Sequence, residues 1–325
     1  MNGPTLVTGA TGTLGRAVVR RLLDGAPGGR LADGRHAVRV LSRRPRPAGD
    51  VHPYDWATGD LRSGAGIDAA VAGADVVIHC ATTNGRRDVD AARRLTEAVA
   101  RRGGPGTHLL YISIVGIDRI PLGYYRAKLE AERVIEASSV GWTVLRTTQF
   151  HDLIARIASA QRRLPASAAV SGMRFQPVDV TEVAERLIEL ASGSPAGRVP
   201  DMGGPEVRSH AELTRSWLRT TGRRRAVLPL WLPGKVGEAL RAGANLVPTG
   251  SSPVPEVPPS AASEPPVAGR DGGGDAPAGR ITFEQFLASG TAARHGSPRV
   301  EPQYAAARRR GGRRGPGEPG GHRLP

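Results

Sequence analysis

Apolar residues fall into two rhythms along the first half of the chain. Short runs are apolar throughout: "TLVT" at 5–8, "AVRVLS" at 37–42, "ADVVIHCA" at 74–81, "HLLYISIVG" at 108–116 and "WTVLRTT" at 142–148. Between them lie stretches in which apolar positions recur every three or four residues, such as "LGRAVVRRLLDG" (14–25), "DVDAARRLTEAVARRG" (88–103) and "YYRAKLEAERVIEAS" (124–138). The second rhythm is that of an amphipathic helix, and Gly25 closes the first one. A run with no polar face belongs to a strand covered on both sides. The alternation predicts an α/β fold, a doubly wound parallel sheet with helices on both faces.

The pattern thins after "FQPVDVTEVAERLIELASG" (175–193). A helix near 209–221 and the apolar piece "VLPLWLPGKVGEALRAGANL" (227–246) are too little for a second independent core. They predict a small lobe, roughly 165–247, beside the sheet's C-terminal edge and closing over a substrate, within one domain spanning 1–247. Residues 248–279 hold eight prolines and almost no large apolar side chains, a composition that does not offset the entropy of ordering. They read as a disordered insertion. "RITFEQFLA" (280–288) returns to helical chemistry, with Thr282 and Gln285 spaced as a capping box and Phe283 placed to meet Leu287. It predicts a short helix docked on the body, followed by a disordered Arg-rich tail over 289–325.

Composition sharpens this only in places. The 325 residues carry a net charge of +15, and Lys128 and Lys235 are the only lysines. Eight arginines against Glu301 and Glu318 put +6 of that charge in the tail. Abundant Arg, Ala, Gly and Pro fit a GC-rich coding bias, so the tail reads as solvated, with contact to acidic lipid or nucleic acid as the lesser alternative. Cys80 is the only cysteine, which excludes an internal disulfide and a cysteine metal cluster. No apolar stretch approaches the roughly 18–20 residues of a membrane span. No signal peptide precedes the first run, and a cytoplasmic location is expected.

"TLVTGATGTLG" (5–15) sets Gly9, Gly12 and Gly15 between the first strand and the first helix. A helix N-terminus offers unpaired N–H groups and partial positive charge, which suit a phosphate. Gly9 permits the tight turn, Gly12 permits close approach, and Gly15 lets the helix pack on the strand. The position of this G-x-x-G-x-x-G pattern points to a dinucleotide, with Gly9, Thr11, Gly12, Thr13, Leu14 and Gly15 as its contacts. Where an NAD site ends its second strand in an acid, this chain has Ser42, Arg43 and Arg44. Guanidinium groups pair with a 2′-phosphate, so NADPH is preferred and NAD stays possible. Asp60 is placed to accept from the adenine amino group or to serve as a surface turn acid. The small residues Ala81 and Thr82 would leave room for the nicotinamide ribose, while His79 and Cys80 read as buried strand residues.

Tyr124 and Lys128 stand four apart on one helix face. A nearby ammonium favours the phenolate, which predicts a Tyr124 pKa lowered from about 10. Such a tyrosine can exchange a proton with a carbonyl oxygen as a hydride moves, and the lysine can hold ribose hydroxyls. Ser113, at the end of the preceding strand, could polarise the same carbonyl. Tyr125 is the fallback for the proton role.

"TGATGTLG", "GDL", "YISIVGID", "YYRAKLEAE", "LRTTQFHDL" and "QPVDVTEVA", in this order, resemble the atypical branch of the short-chain dehydrogenase/reductases, the NmrA-like and NAD(P)H-binding proteins. The resemblance covers about residues 3–245 plus "GRITFEQFLA". It implies a Rossmann fold with a small substrate lobe, and Ser113, Tyr124 and Lys128 as the catalytic set. Ser113 lies 11 residues before Tyr124, slightly closer than in the best-known members. The resemblance also places Gln149, Phe150 and His151 near the substrate, although a helix-start histidine bonded locally is the plainer reading of His151.

Three functions remain open on the sequence alone. The first is an NADPH-dependent oxidoreductase acting on a carbonyl or quinone-like small molecule. The second is a non-catalytic dinucleotide sensor acting through a protein partner, since the branch also holds NAD(P) binders that do not turn it over. The third is a nucleic-acid-associated factor using the arginine tail. A homo-oligomer is possible under each.

Overall fold

The computed structural model describes residues 3–25, 37–83, 85–104, 106–248 and 278–290. Residues 249–277 of the expected insertion and 291–325 of the expected tail lie outside the described residues.

The apolar runs form strands β1 (Thr5–Thr8), β2 (Val38–Ser42), β3 (Asp55–Thr58), β4 (Val76–His79), β5 (His108–Ile114) and β6 (Gly141–Thr147). Between them stand helices α1 (Thr13–Gly25), α2 (Ile67–Val71), α3 (Arg87–Arg102) and α4 (Gly123–Glu136). After β6 come α5 (His151–Ala160), β7 (Ser167–Val170), β8 (Arg174–Phe175), α6 (Val180–Ala191) and β9 (Gly197–Arg198). The chain continues through β10 (Arg208–Ser209), α7 (His210–Thr220), β11 (Val227–Leu230), α8 (Gly234–Arg241) and α9 (Phe283–Ala288).

Seven strands join in the order β3-β2-β1-β4-β5-β6-β9, each pair parallel. Because strand side chains alternate, neighbouring residues serve opposite cores. Val7, Ile78 and Leu110 pack beneath α1 and α6, whereas Leu6, Val77 and Leu109 pack beneath α2, α3 and α4. The direction of winding reverses between β1 and β4. In open parallel sheets, ligands bind at the carboxyl edge of such a reversal.

The lobe differs from its expected 165–247 bounds. Helix α6 and strand β9 belong to the large sheet, since Val183, Ala184 and Leu187 complete its core and β9 pairs with β6. The lobe proper is a separate core in which Ile154, Phe175, Leu213, Trp217 and Leu240 enclose Phe283, Phe286 and Leu287 of α9. Two small ribbons brace it, β7 with β11 in parallel and β8 with β10 antiparallel. The capping box on α9 is formed, with Thr282 and Gln285 exchanging side-chain and backbone bonds. The buried carboxylate of Glu182 accepts from the N–H groups of Arg280 and Ile281 and so fastens the segment leading into α9.

Candidate functional site

The glycine turn lies at the carboxyl end of β1. Gly9 has φ of +68°, and a Cβ there would stand 2.6 Å from the Ala81 nitrogen. A Cβ on Gly15 would fall 2.2 Å from the Gly9 carbonyl oxygen. These two glycines are therefore required by the protein's own packing. Gly12 is different: its only close neighbour would be the same carbonyl oxygen at 3.2 Å, and both Thr11 and Gly12 are exposed. The turn closes through a Gly12 N–H bond to Gly9 O of 2.8 Å, and α1 begins one residue later. The result is an open helix N-terminus at the reversal of the sheet, whose chemistry fits a dinucleotide pyrophosphate.

Across the crevice, Ala81 and Thr82 follow β4. Asp88, buried in the first turn of α3, accepts from the Thr82 hydroxyl at 2.6 Å and from the Thr83 hydroxyl at 2.6 Å. It also accepts from the Thr83 N–H. The carboxylate fixes this loop and points the Thr82 hydroxyl group toward α4, where Tyr124 Oη lies 3.5 Å away. Tyr125 instead packs against the lobe core, which leaves Tyr124 as the phenol beside Thr82.

Burial holds the Tyr124 phenol above its ordinary value of 10.0, outweighing the Lys128 charge and the Thr82 bond, which pull it down. This corrects the lowered pKa expected from the four-residue spacing: the spacing supplies the charge, but desolvation is larger. Lys128 is only 3% exposed, and its Nζ donates to Tyr111 Oη at 3.0 Å and to the Ile112 carbonyl at 3.2 Å. Ser113 sits two residues beyond Tyr111 on the same strand face. Its buried hydroxyl has no hydrogen-bond partner among the described residues.

Strand β6 secures α4 from below. The Arg146 guanidinium donates through Nε to Glu132 Oε1 at 2.9 Å and through Nη2 to Oε2 at 2.5 Å. Nη1 reaches Asp118 at 3.1 Å, and this charge holds the Asp118 carboxyl below its ordinary value against the upward push of burial. Glu132 is one helical turn beyond Lys128, so this bidentate pair fixes the face that carries Tyr124 and Lys128.

At the other end of the crevice, Arg43 and Arg44 are exposed just past β2, where no acid stands. Asp60 accepts the Arg62 N–H at 2.9 Å, closing its own turn. With Arg62, Ser63, Arg87, Asp90 and Arg94 it lines an open cleft of about 380 Å³. His79 is buried at the end of β4, and Cys80, just after it, is half-buried. Burial pushes His79 down to about 3 and the Cys80 thiol up to about 12.

The expected substrate trio separates. Gln149 is buried with its Oε1 lacking a partner among the described residues, and Phe150 bridges to Val178. His151 is buried at the start of α5. Its Nε2 bonds the Ile281 carbonyl at 3.0 Å and its ring stacks on Phe286 at 5.2 Å, so it anchors α9. No local pattern announces a partner 130 residues away. Asp88, Tyr111 and Glu132 were also missed. Each carried a signal: an acid in a first helical turn, an aromatic two residues before Ser113, and a carboxylate four residues after Lys128.

The fold and the glycine turn define a Rossmann-type dinucleotide-binding protein. The chain belongs to the NAD(P)H-binding family, whose profile matches residues 9–190. It is 32% identical over 231 residues to the (4-alkanoyl-5-oxo-2,5-dihydrofuran-3-yl)methyl phosphate reductase of Streptomyces griseus subsp. griseus, covering 67% of this chain and 74% of that one. Among solved structures, the NADPH-dependent quinone oxidoreductase QOR2 of Escherichia coli, complexed with NADPH, matches at a TM-score of 0.60 and 18% identity, covering 75% of this chain and 88% of that one. MoeE5 in complex with UDP-glucose and NAD matches at 0.57 and 24%, covering 72% and 87%. These two structures share the fold. Among the described residues, no helix is long and apolar enough to cross a membrane.

Proposed function

We propose that this protein is an NADPH-dependent reductase of a small molecule bearing a conjugated carbonyl or quinone-like group. The observation that carries the reading is the Tyr124 hydroxyl, 3.5 Å from Thr82 just past the carboxyl end of β4. When bound, the reduced nicotinamide supplies the hydride. The Gly12 face and the start of α1 would hold the pyrophosphate, with Arg43 and Arg44 near the 2′-phosphate and Lys128 below the ribose. Tyr124 is kept protonated by burial, so it is ready to donate a proton to an oxygen that gains charge. That state suits reduction better than the reverse reaction, which needs a phenolate. The unpartnered Ser113 hydroxyl would donate to the same oxygen. The similarity to a reductase whose named substrate is an alkanoyl furanone supports a conjugated acceptor.

A second reading, a dinucleotide sensor without turnover, is favoured by one feature: the Lys128 ammonium is bonded to Tyr111 and Ile112 rather than to Tyr124. NADPH and NADH titrations followed by a screen of enones, furanones and quinones separate the two. The reductase consumes NADPH with at least one of these acceptors and prefers it to NADH. Tight NADPH binding with no consumption across the panel supports the sensor, and no binding of either coenzyme defeats both.

A further inference from the structure

Lys128 is a buried ammonium with no carboxylate in contact among the described residues, and a buried charge persists only where other groups replace water. Three do so here. The Tyr111 hydroxyl accepts from Nζ at 3.0 Å, the Ile112 carbonyl accepts at 3.2 Å, and the Tyr111 ring lies below the ammonium with its centroid 4.4 Å away. Behind Tyr111 the polar line continues. The His79 ring stacks on it at 5.3 Å, and His79 Nδ1 is 2.6 Å from the hydroxyl of Thr8, the residue preceding Gly9. A chain of contacts thus runs from the glycine turn through β4 and β5 to the lysine on α4.

We propose that Tyr111 is the positioning residue of the site: its hydroxyl and ring hold the Lys128 ammonium at a fixed point under the crevice. The proposal rests on the reading of the site as one for a nicotinamide dinucleotide, because the ammonium is there to meet a ribose and the Tyr124 phenol. The role cannot pass to another group of this cluster. Burial keeps Tyr111 neutral, so its oxygen is an acceptor and not a counter-charge. The other ionisable groups around Lys128 are His79 on β4 and Cys80 just after it, Asp88 on α3, and Tyr124 and Glu132 on α4. Asp88 is committed to Thr82 and Thr83, and Glu132 to Arg146. His79 is uncharged. Loss of the Tyr111 hydroxyl therefore removes a bond to Lys128 that none of these neighbours replaces, and the ammonium is no longer held at one point.

The chain has only two lysines, Lys128 and Lys235, so protein labelled with 13C at the lysine ε-carbon gives two signals, assigned by Lys235→Arg. In the wild-type chain the Lys128 ε-protons should lie upfield of those of Lys235, shifted by the Tyr111 ring, and coincidence of the two overturns the proposal without any variant. In Tyr111→Phe, which keeps the ring and the stack on His79 but loses the acceptor, the Lys128 ε signal should move away from its wild-type position while that of Lys235 stays in place. A Lys128 signal unchanged from wild type overturns it. NADPH affinity adds a second readout: Tyr111→Phe should bind NADPH about tenfold more weakly than wild type at neutral pH, in step with the moved Lys128 signal. A merely structural defect would weaken binding with the Lys128 signal unmoved, and that result also overturns the proposal. If wild-type protein binds no NADPH, the dinucleotide reading fails, while the lysine signals still decide the role of Tyr111.

Discussion

Two cations are buried against α4 about one helical turn apart, and the protein treats them in opposite ways. Arg146 meets two carboxylates and spends three of its nitrogens on them. Lys128 meets a phenol, a carbonyl and a ring face, with no carboxylate in contact among the described residues. A charge with its full complement of partners is fixed structure, whereas one held by neutral groups keeps an outward field. That field is the downward pull exerted on Tyr124, His79 and Cys80. The contrast separates what holds the crevice in shape from what acts in it.

The comparison can be broken most directly at the phenol. Tyr124→Phe should lower turnover with the acceptor that the screen identifies by at least about 100-fold, with NADPH affinity within about twofold of wild type. Retained turnover would remove Tyr124 from the chemistry. Arg146→Ala should cost about 3–5 kcal/mol in denaturant unfolding, because Glu132 is left buried and unpaired. Lys128→Met should cost only about 1–2 kcal/mol, and equal costs would erase the distinction drawn here. Replacing both Arg43 and Arg44 by Ala should weaken NADPH about tenfold while leaving NADH unchanged in parallel titrations. A smaller effect concerns pH. Proton donation needs the neutral phenol, and the folded-state pKa of Tyr124 lies above 10.0, so the acid form persists as pH rises through neutrality. The reduction rate should therefore stay level from about pH 7 to about pH 9, and a fall centred near pH 8 would assign the proton to another group. Least of all, Cys80, whose thiol is pushed up to about 12, should resist iodoacetamide at about pH 8 in native protein and react fully in urea, as read by mass.

Much of the sheet was legible because an unbroken apolar run such as Val76–His79 can be satisfied only between two helical layers. The glycine turn was legible for a similar reason, since Gly9 and Gly15 answer to local backbone geometry. What escaped depended on distance or on competing magnitudes. The elevation of Tyr124 arises from desolvation, which the spacing to Lys128 does not encode. The position of His151 depends on Ile281, Phe283 and Phe286, which arrive from far along the chain. The bounds of the lobe shifted because α6 has an apolar stripe that fits either core, and only packing against α1 and the sheet decided between them.

The late arrival of α9 has a consequence for synthesis. The large sheet is complete once residues 197–198 have emerged, but the lobe core waits for Phe283, Phe286 and Leu287. During elongation, the nucleotide crevice can therefore assemble while Ile154, Leu213 and Trp217 still face water. A polypeptide ending before residue 283 would keep its parallel sheet and present that bare surface to chaperones, so quality control would sense α9 rather than the coenzyme cradle.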